Sequence, residues 1–137
     1  MNTMPEPSQS LAKSWFRKAE NDLLNVENNL KAEKYPGDTV CFHCQQVAEK
    51  YLKGLLAWHQ VSFVKTHDLF ALLKQVKQIL GEDANFLDQS ISLLDDYSVS
   101  IRYPQEVEED PTDKEVQLAY EAALAVRTWV RDRLDLD

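Results

Sequence analysis

One stretch, Asp38 to Asp68, limits what this chain can become more than any other. Val40, Cys44, Val47, Tyr51, Leu55 and Trp58 recur at helical spacing, with Cys41, Ala48 and Leu52 alongside them. At ~100° per residue these side chains cover an arc of about 180°, wider than a surface helix needs. The pattern predicts the central helix of a bundle. Phe42 breaks it, projecting from the polar side on one line with Gln46, Glu49 and Lys53. A large aromatic there implies a second burial surface: another chain, with Phe42, Gln46 and Glu49 at a dimer interface, or a neighbouring helix of the same chain. Gly54 costs about 1 kcal/mol relative to Ala inside a helix, which a close helix crossing would justify.

The flanking segments extend the helical reading. A first helix is expected from Ser10 to Lys34, with Leu11, Trp15, Ala19, Leu23, Val26 and Leu30 inward. Tyr35-Pro36-Gly37 ends it, and Asp38 is placed to cap the central helix. After the link Val61 to Lys65, Thr66 is the expected cap of a third helix, with Asp68 in its first turn. Leu69, Leu72, Leu73, Val76, Ile79 and Leu80 form its stripe, and Gly81 stops it. A fourth helix is expected from Asp83 to about Ser98, with Leu87, Ile91, Leu94 and Tyr97 inward. Ile101 to Pro111 reads as a loop whose Glu106–Asp110 acidic run is solvated. Thr112 and Glu115 are spaced as a capping box for a fifth helix carrying Val116, Ala119, Ala123, Val126, Val130 and Leu134 inward. The fold class is therefore all-α, an up-and-down antiparallel bundle of about five helices. Residues 1–8, with Pro5 and Pro7, are expected to be a flexible N-terminus, and residues 9–137 one domain.

Composition excludes several roles. A net charge of −8 argues against coating nucleic acid non-specifically, which rests on neutralising phosphates with Lys and Arg. No apolar run approaches the ~20 residues of a membrane span, and the N-terminus lacks the basic start and apolar core of a secretory signal, so the expected location is the cytoplasm. Cys41 and Cys44 lie on the apolar face without two further zinc ligands, and they read as buried free thiols. Gly37, Gly54 and Gly81 are scattered and form no phosphate loop, and no nucleophile motif is present, so neither metal nor cofactor is expected.

Three segments, QQVAEKYLKGLL (45–56), KTHDLFALL (65–73) and YSVSIRYP (97–104), together resemble the HEPN domain family in order and spacing. The resemblance implies a helical bundle that is frequently dimeric. Many relatives that cleave RNA carry an Arg followed four to six residues later by His. Here Glu106, Val107 and Glu108 stand at those distances from Arg102, and no His follows. The resemblance thus implies a non-catalytic role: binding a nucleotide or another phosphorylated ligand, and pairing with a small nucleotidyltransferase in a toxin–antitoxin-like arrangement. The alternatives are an RNA-cleaving toxin with an altered site and a ligand-free dimeric interaction module.

The residues themselves nominate one site. Antiparallel helices would bring the start of the third helix to the end of the fourth, gathering Lys65 and His67 with Arg102 and Tyr103. Lys65 and Arg102 beside a helix N-terminus suit an anion, His67 suits proton transfer or hydrogen bonding near neutral pH, and Tyr103 can stack on a base. Lys50 and Lys53 are further polar-face cations able to reach a phosphate, the plainer reading of such lysines being solvation. The structural alternative has Asp68 capping the helix and pairing with Arg102, and His67 bonded to a backbone carbonyl. His59 is expected to be structural, and His43 sits on the polar shoulder of the central helix.

Overall fold

The computed structural model describes residues 7–63, 65–97 and 110–136. Among them are five α-helices and no strand: α1 (Pro7–Leu30), α2 (Gly37–Trp58), α3 (Leu69–Leu80), α4 (Asp88–Asp95) and α5 (Asp113–Arg133), with a 3-10 segment, Gly81–Leu87, between α3 and α4. No helix among the described residues is long and apolar enough to cross a membrane. Of the expected N-terminal lead, residues 7 and 8 open α1 and the rest lies outside the described residues. So do the end of the fourth helix near Ser98 and nearly all of the acidic loop, whose described end, Asp110, is exposed.

α2 is the hub, packing against α1, α3, α4 and α5. Most of its residues are buried, including Gln45, Gln46, Glu49 and Lys53 on the side expected to be polar. Its first turn follows Pro36, and Asp38 lies inside that turn, where its carboxylate accepts from the Thr39 N–H at 2.8 Å; it is not the cap residue.

α1 differs from expectation in its face. Its buried line is Ala12, Phe16, Ala19, Leu23 and Val26, whereas Leu11 is 53% exposed and Trp15 only partly covered. The cause is Gly54. A Cβ there would stand 2.3 Å from Phe16 Cε1, so the bare backbone of α2 is what admits the Phe16 ring. That ring stacks on Tyr51 at 5.2 Å and turns Leu11 outward. α1 also stops at Leu30, four residues early, where Ala32 N–H reverts to a tighter bond to the Asn29 carbonyl.

The direction of the helices follows from their pairings. Asp113, Tyr120 and Arg127 of α5 meet Tyr35, Glu27 and Glu20 in descending order, so α5 runs against α1 and along α2. α3 also runs along α2. Gln60 takes a left-handed turn (φ 61°) that closes α2, with Val61 N–H returning to the Leu56 carbonyl. The chain then doubles back beside α2, Gln75 of α3 binding the Ser62 carbonyl on the way, until the His67 carbonyl accepts from Gln45. At ~3.3 Å per extended residue against ~1.5 Å in a helix, this short link is long enough to retrace the roughly three turns of α2 between Leu56 and Gln45.

Asp68, not Thr66, caps α3: its carboxylate accepts from Phe70 N–H at 3.0 Å and Ala71 N–H at 3.3 Å, while Thr66 Oγ1 accepts from Asp68 N–H. Gly81 (φ 65°) ends α3 as expected, a backbone angle favouring glycine. The fourth helix is split because Ala84 and Leu87 use the three-residue spacing of a 3-10 turn before Ile91 and Leu94 continue inward from α4. The Thr112–Glu115 capping box of α5 is formed in both directions.

Candidate functional site

The site is built on the polar side of α2, where burial needs compensation. Glu49 is 2% exposed, and a carboxylate there is stable only if its oxygens are paired. Lys53, one turn on, donates to Oε2 at 3.2 Å, and His67 Nδ1 lies 3.0 Å from Oε1. Gln45 and Gln46 donate to the same Oε1 at 3.4 Å, and Gln46 also donates to Gln45 Oε1 at 2.7 Å. The Lys53 ammonium is itself sheltered, 5.3 Å from the Trp15 ring centroid and 5.8 Å from that of Phe63, rings packed edge to face.

His67 has the opposite character: its side chain is 74% exposed. With Nδ1–H donated to the buried carboxylate, ring orientation is fixed and Nε2 points outward. That nitrogen is an acceptor when the ring is neutral and a donor when it is protonated. Glu49 and Lys53 balance one another in charge, so the outward face of His67 is not dominated by a bare carboxylate. Lys65, two residues earlier, is exposed.

The structure therefore unites residues that the sequence assigns to different tasks. His67 and Lys53, expected to bind ligand, join Gln46 and Glu49, expected at a dimer interface, in one hydrogen-bonded seam. Lys53 is committed inward to Glu49 and supports the seam from within. Phe42 is half-buried beside His43, ring centroids 5.5 Å apart. Arg102 and Tyr103 lie outside the described residues. His67 bonds a carboxylate, not the backbone carbonyl of the structural alternative. His59 closes α2 through its backbone N–H and is exposed.

One expectation is corrected outright. The N-terminus of α3 is not open to an anion, because Asp68 already accepts its first free N–H groups. The Asp95 carboxyl, at the end of α4, lies near the Leu69 N–H there and is pushed up, first by burial and then by repulsion from Asp68. The expected approach of α3's start to α4's end is thus real, and among the described residues it brings together the carboxylates of Asp68 and Asp95. Any anion contact on this side must come from side chains. The Gln45–Glu49–His67 link is legible in the sequence only as an unusually polar line on a helix apolar elsewhere.

Cys41 and Cys44 are buried free thiols, as expected. Burial pushes Cys41 up to about 11 and Cys44 higher still, so neither is a thiolate at neutral pH. Among the described residues, no group of three or more His, Cys, Asp or Glu is arranged to hold a metal ion.

A bundle wrapped around one enclosed helix, with an ionised seam opening onto a single oriented imidazole, defines an all-α domain whose polar centre is specified as closely as its core. The chain matches the family model described as HEPN domain over residues 12–133, most of its length, and it belongs to that family. No curated protein and no solved structure matches it.

Proposed function

We propose that this HEPN domain binds a nucleotide or another phosphorylated ligand without cleaving it, and that it works with a small nucleotidyltransferase as its partner. The observation that carries the reading is the Glu49–His67 pair: a buried carboxylate orienting an exposed imidazole whose Nε2 faces solvent. Buried polar networks are costly, and one that ends in a single fixed, outward nitrogen suits recognition of a polar group. Lys65 adds an exposed cation from the same link, and Arg102 and Tyr103 are the sequence's candidates for a phosphate clamp and a stacking surface. Binding is favoured over cleavage because Arg102 has no His within six residues, so the usual acid–base partner is missing.

The test is calorimetric titration with nucleoside triphosphates at low and moderate salt. Binding that weakens with salt and is lost in Arg102→Ala and His67→Gln, with unchanged thermal stability, supports the reading. If no nucleotide binds and Arg102→Ala destabilises the fold, the residues are structural. Metal-free incubation with single-stranded RNA addresses the enzyme reading: cleavage lost in both Arg102→Ala and His67→Ala would establish a ribonuclease with a displaced histidine.

A second reading, self-association, is favoured by the incomplete burial of Phe42 on the hub helix. Burying a Phe contributes roughly 1.5–3 kcal/mol, enough to strengthen a weak interface but not to create one. Sedimentation at high micromolar concentration, with Phe42→Ala beside the wild type, measures it.

A further inference from the structure

On the opposite edge of the same strip of α2, beyond Phe42 and Gln46, lies a second ionised cluster in which the Glu49 seam plays no part. Asp22 of α1 is nine-tenths buried at the α1–α2 seam. Its Oδ1 meets His43 Nδ1 at 2.8 Å, and its Oδ2 accepts from the Lys50 ammonium. His43 and Lys50 are seven residues apart on α2, hence on one face, and the length of the lysine brings both onto a single carboxylate. About a quarter to a fifth of each side chain remains exposed.

We propose that His43 and Lys50, held by Asp22, form a second oxyanion site that takes the phosphate group of a phosphomonoester. Three features lead there. First, Asp22 uses one oxygen for each partner, so both are fixed by a buried anchor and little side-chain entropy remains to be lost on binding. Second, donors are left over. An ammonium has three hydrogens, an imidazole carries a second N–H only when protonated, and among the described residues neither side chain makes another hydrogen bond than that to Asp22. Lys50 therefore keeps two hydrogens to donate, and His43 Nε2 donates as well when the ring is protonated. Third, the charges do not oppose an anion, because Lys50 offsets Asp22. An ionic cluster is a poor choice for holding two helices together, since apolar side chains of the same volume commonly do so as well or better. The Phe42 ring, edge-on to His43 and incompletely buried, offers a planar group of the ligand an apolar neighbour.

The experiment follows the imidazole nitrogens of His43 and His67 by proton–nitrogen correlation spectroscopy, titrating the full chain at low salt with inorganic phosphate, with AMP and with adenosine. Phosphate and AMP are expected to move the His43 resonances saturably, and adenosine to leave them in place. Lys50→Gln should weaken the response roughly tenfold, the size of one charge-assisted hydrogen bond, and Lys50→Arg should retain it. His67→Gln should leave it unchanged, which separates this site from the ligand face of His67. The proposal is overturned if neither phosphate nor AMP moves His43 in the wild type, a reading that needs no variant to fold. It is equally overturned if a folded Lys50→Gln protein responds as the wild type does, or if His67→Gln abolishes the response.

Discussion

The Phe16 ring occupies the space in which a side chain at Gly54 would begin: a Cβ there would meet Phe16 Cε1 at 2.3 Å and Cδ1 at 2.7 Å. Two effects of Gly54→Ala therefore oppose one another. The helix gains about 1 kcal/mol from the better helix former. The core loses about 1–3 kcal/mol to overpacking, because the ring is stacked on Tyr51 and cannot withdraw without breaking that contact. The clash is far inside van der Waals contact, so the loss prevails. Urea unfolding should show a lower midpoint with an unchanged slope, and Phe16→Leu in the same chain should recover part of it. A more stable Gly54→Ala protein would mean that α1 and α2 are not so close.

The Glu49 seam makes a sharper prediction, because its partners are buried with it. Glu49→Ala leaves the Lys53 ammonium between Trp15 and Phe63 without its carboxylate, and removing one partner of a buried pair costs about 3–5 kcal/mol. Glu49→Leu with Lys53→Leu removes both charges and is expected to cost far less than the sum of the single changes. A double-mutant cycle by chemical denaturation measures this coupling. Additivity within a few tenths of a kcal/mol would show that the pair is not coupled.

Much of the architecture is legible in the sequence, for identifiable reasons. The α2 stripe, the glycine stop of α3 and the α5 capping box depend on local spacing and local hydrogen bonds, which a sequence displays directly. The face of α1 does not: Leu11–Trp15 and Ala12–Phe16 are equally periodic lines, and the second needs the room left by the absent side chain of Gly54, far along the chain. The candidate site is legible in part for the same reason. His67 stands out as a histidine beside a helix start, but its partner depends on the link doubling back along α2, and sequence spacing suggested an approach to α4 alone. Likewise Thr66 and Asp68 are both good caps by type, and the choice rests on which one's oxygen reaches two free N–H groups.

The thiols test the enclosure of the hub. Cys41 and Cys44 are fully buried, and their raised ionisation suppresses the thiolate on which alkylation depends. Iodoacetamide at neutral pH should leave both unmodified in the native protein over hours and label both in denaturant, as read by intact mass. Rapid native labelling of either cysteine would show that the α2 core opens readily.

The pH dependence of stability carries two contributions of opposite sign, and single variants separate them. Burial alone would raise Glu20, but the bonds from Arg127 and Tyr51, with the nearby charges of Arg127 and Arg131, outweigh it, and the net shift is downward from 4.5. A depressed carboxylate stabilises the fold above its unfolded value, and that stabilisation is lost as pH falls through the folded one. Glu20→Gln should therefore lower the melting temperature at neutral pH and flatten its fall below pH 4.5. Asp95 behaves in reverse. Burial and the neighbouring Asp68 raise it from 3.8, so the folded state holds its proton longer than the unfolded chain, and stability declines as pH rises through that window. Asp95→Asn keeps an oxygen near Leu69 N–H and removes the repulsion from Asp68. It should raise the melting temperature at neutral pH and change little at pH values below 3.8. Thermal unfolding of the three proteins across the acidic range decides both points, and an Asp95→Asn protein destabilised at neutral pH would assign its carboxylate to holding the α3 terminus.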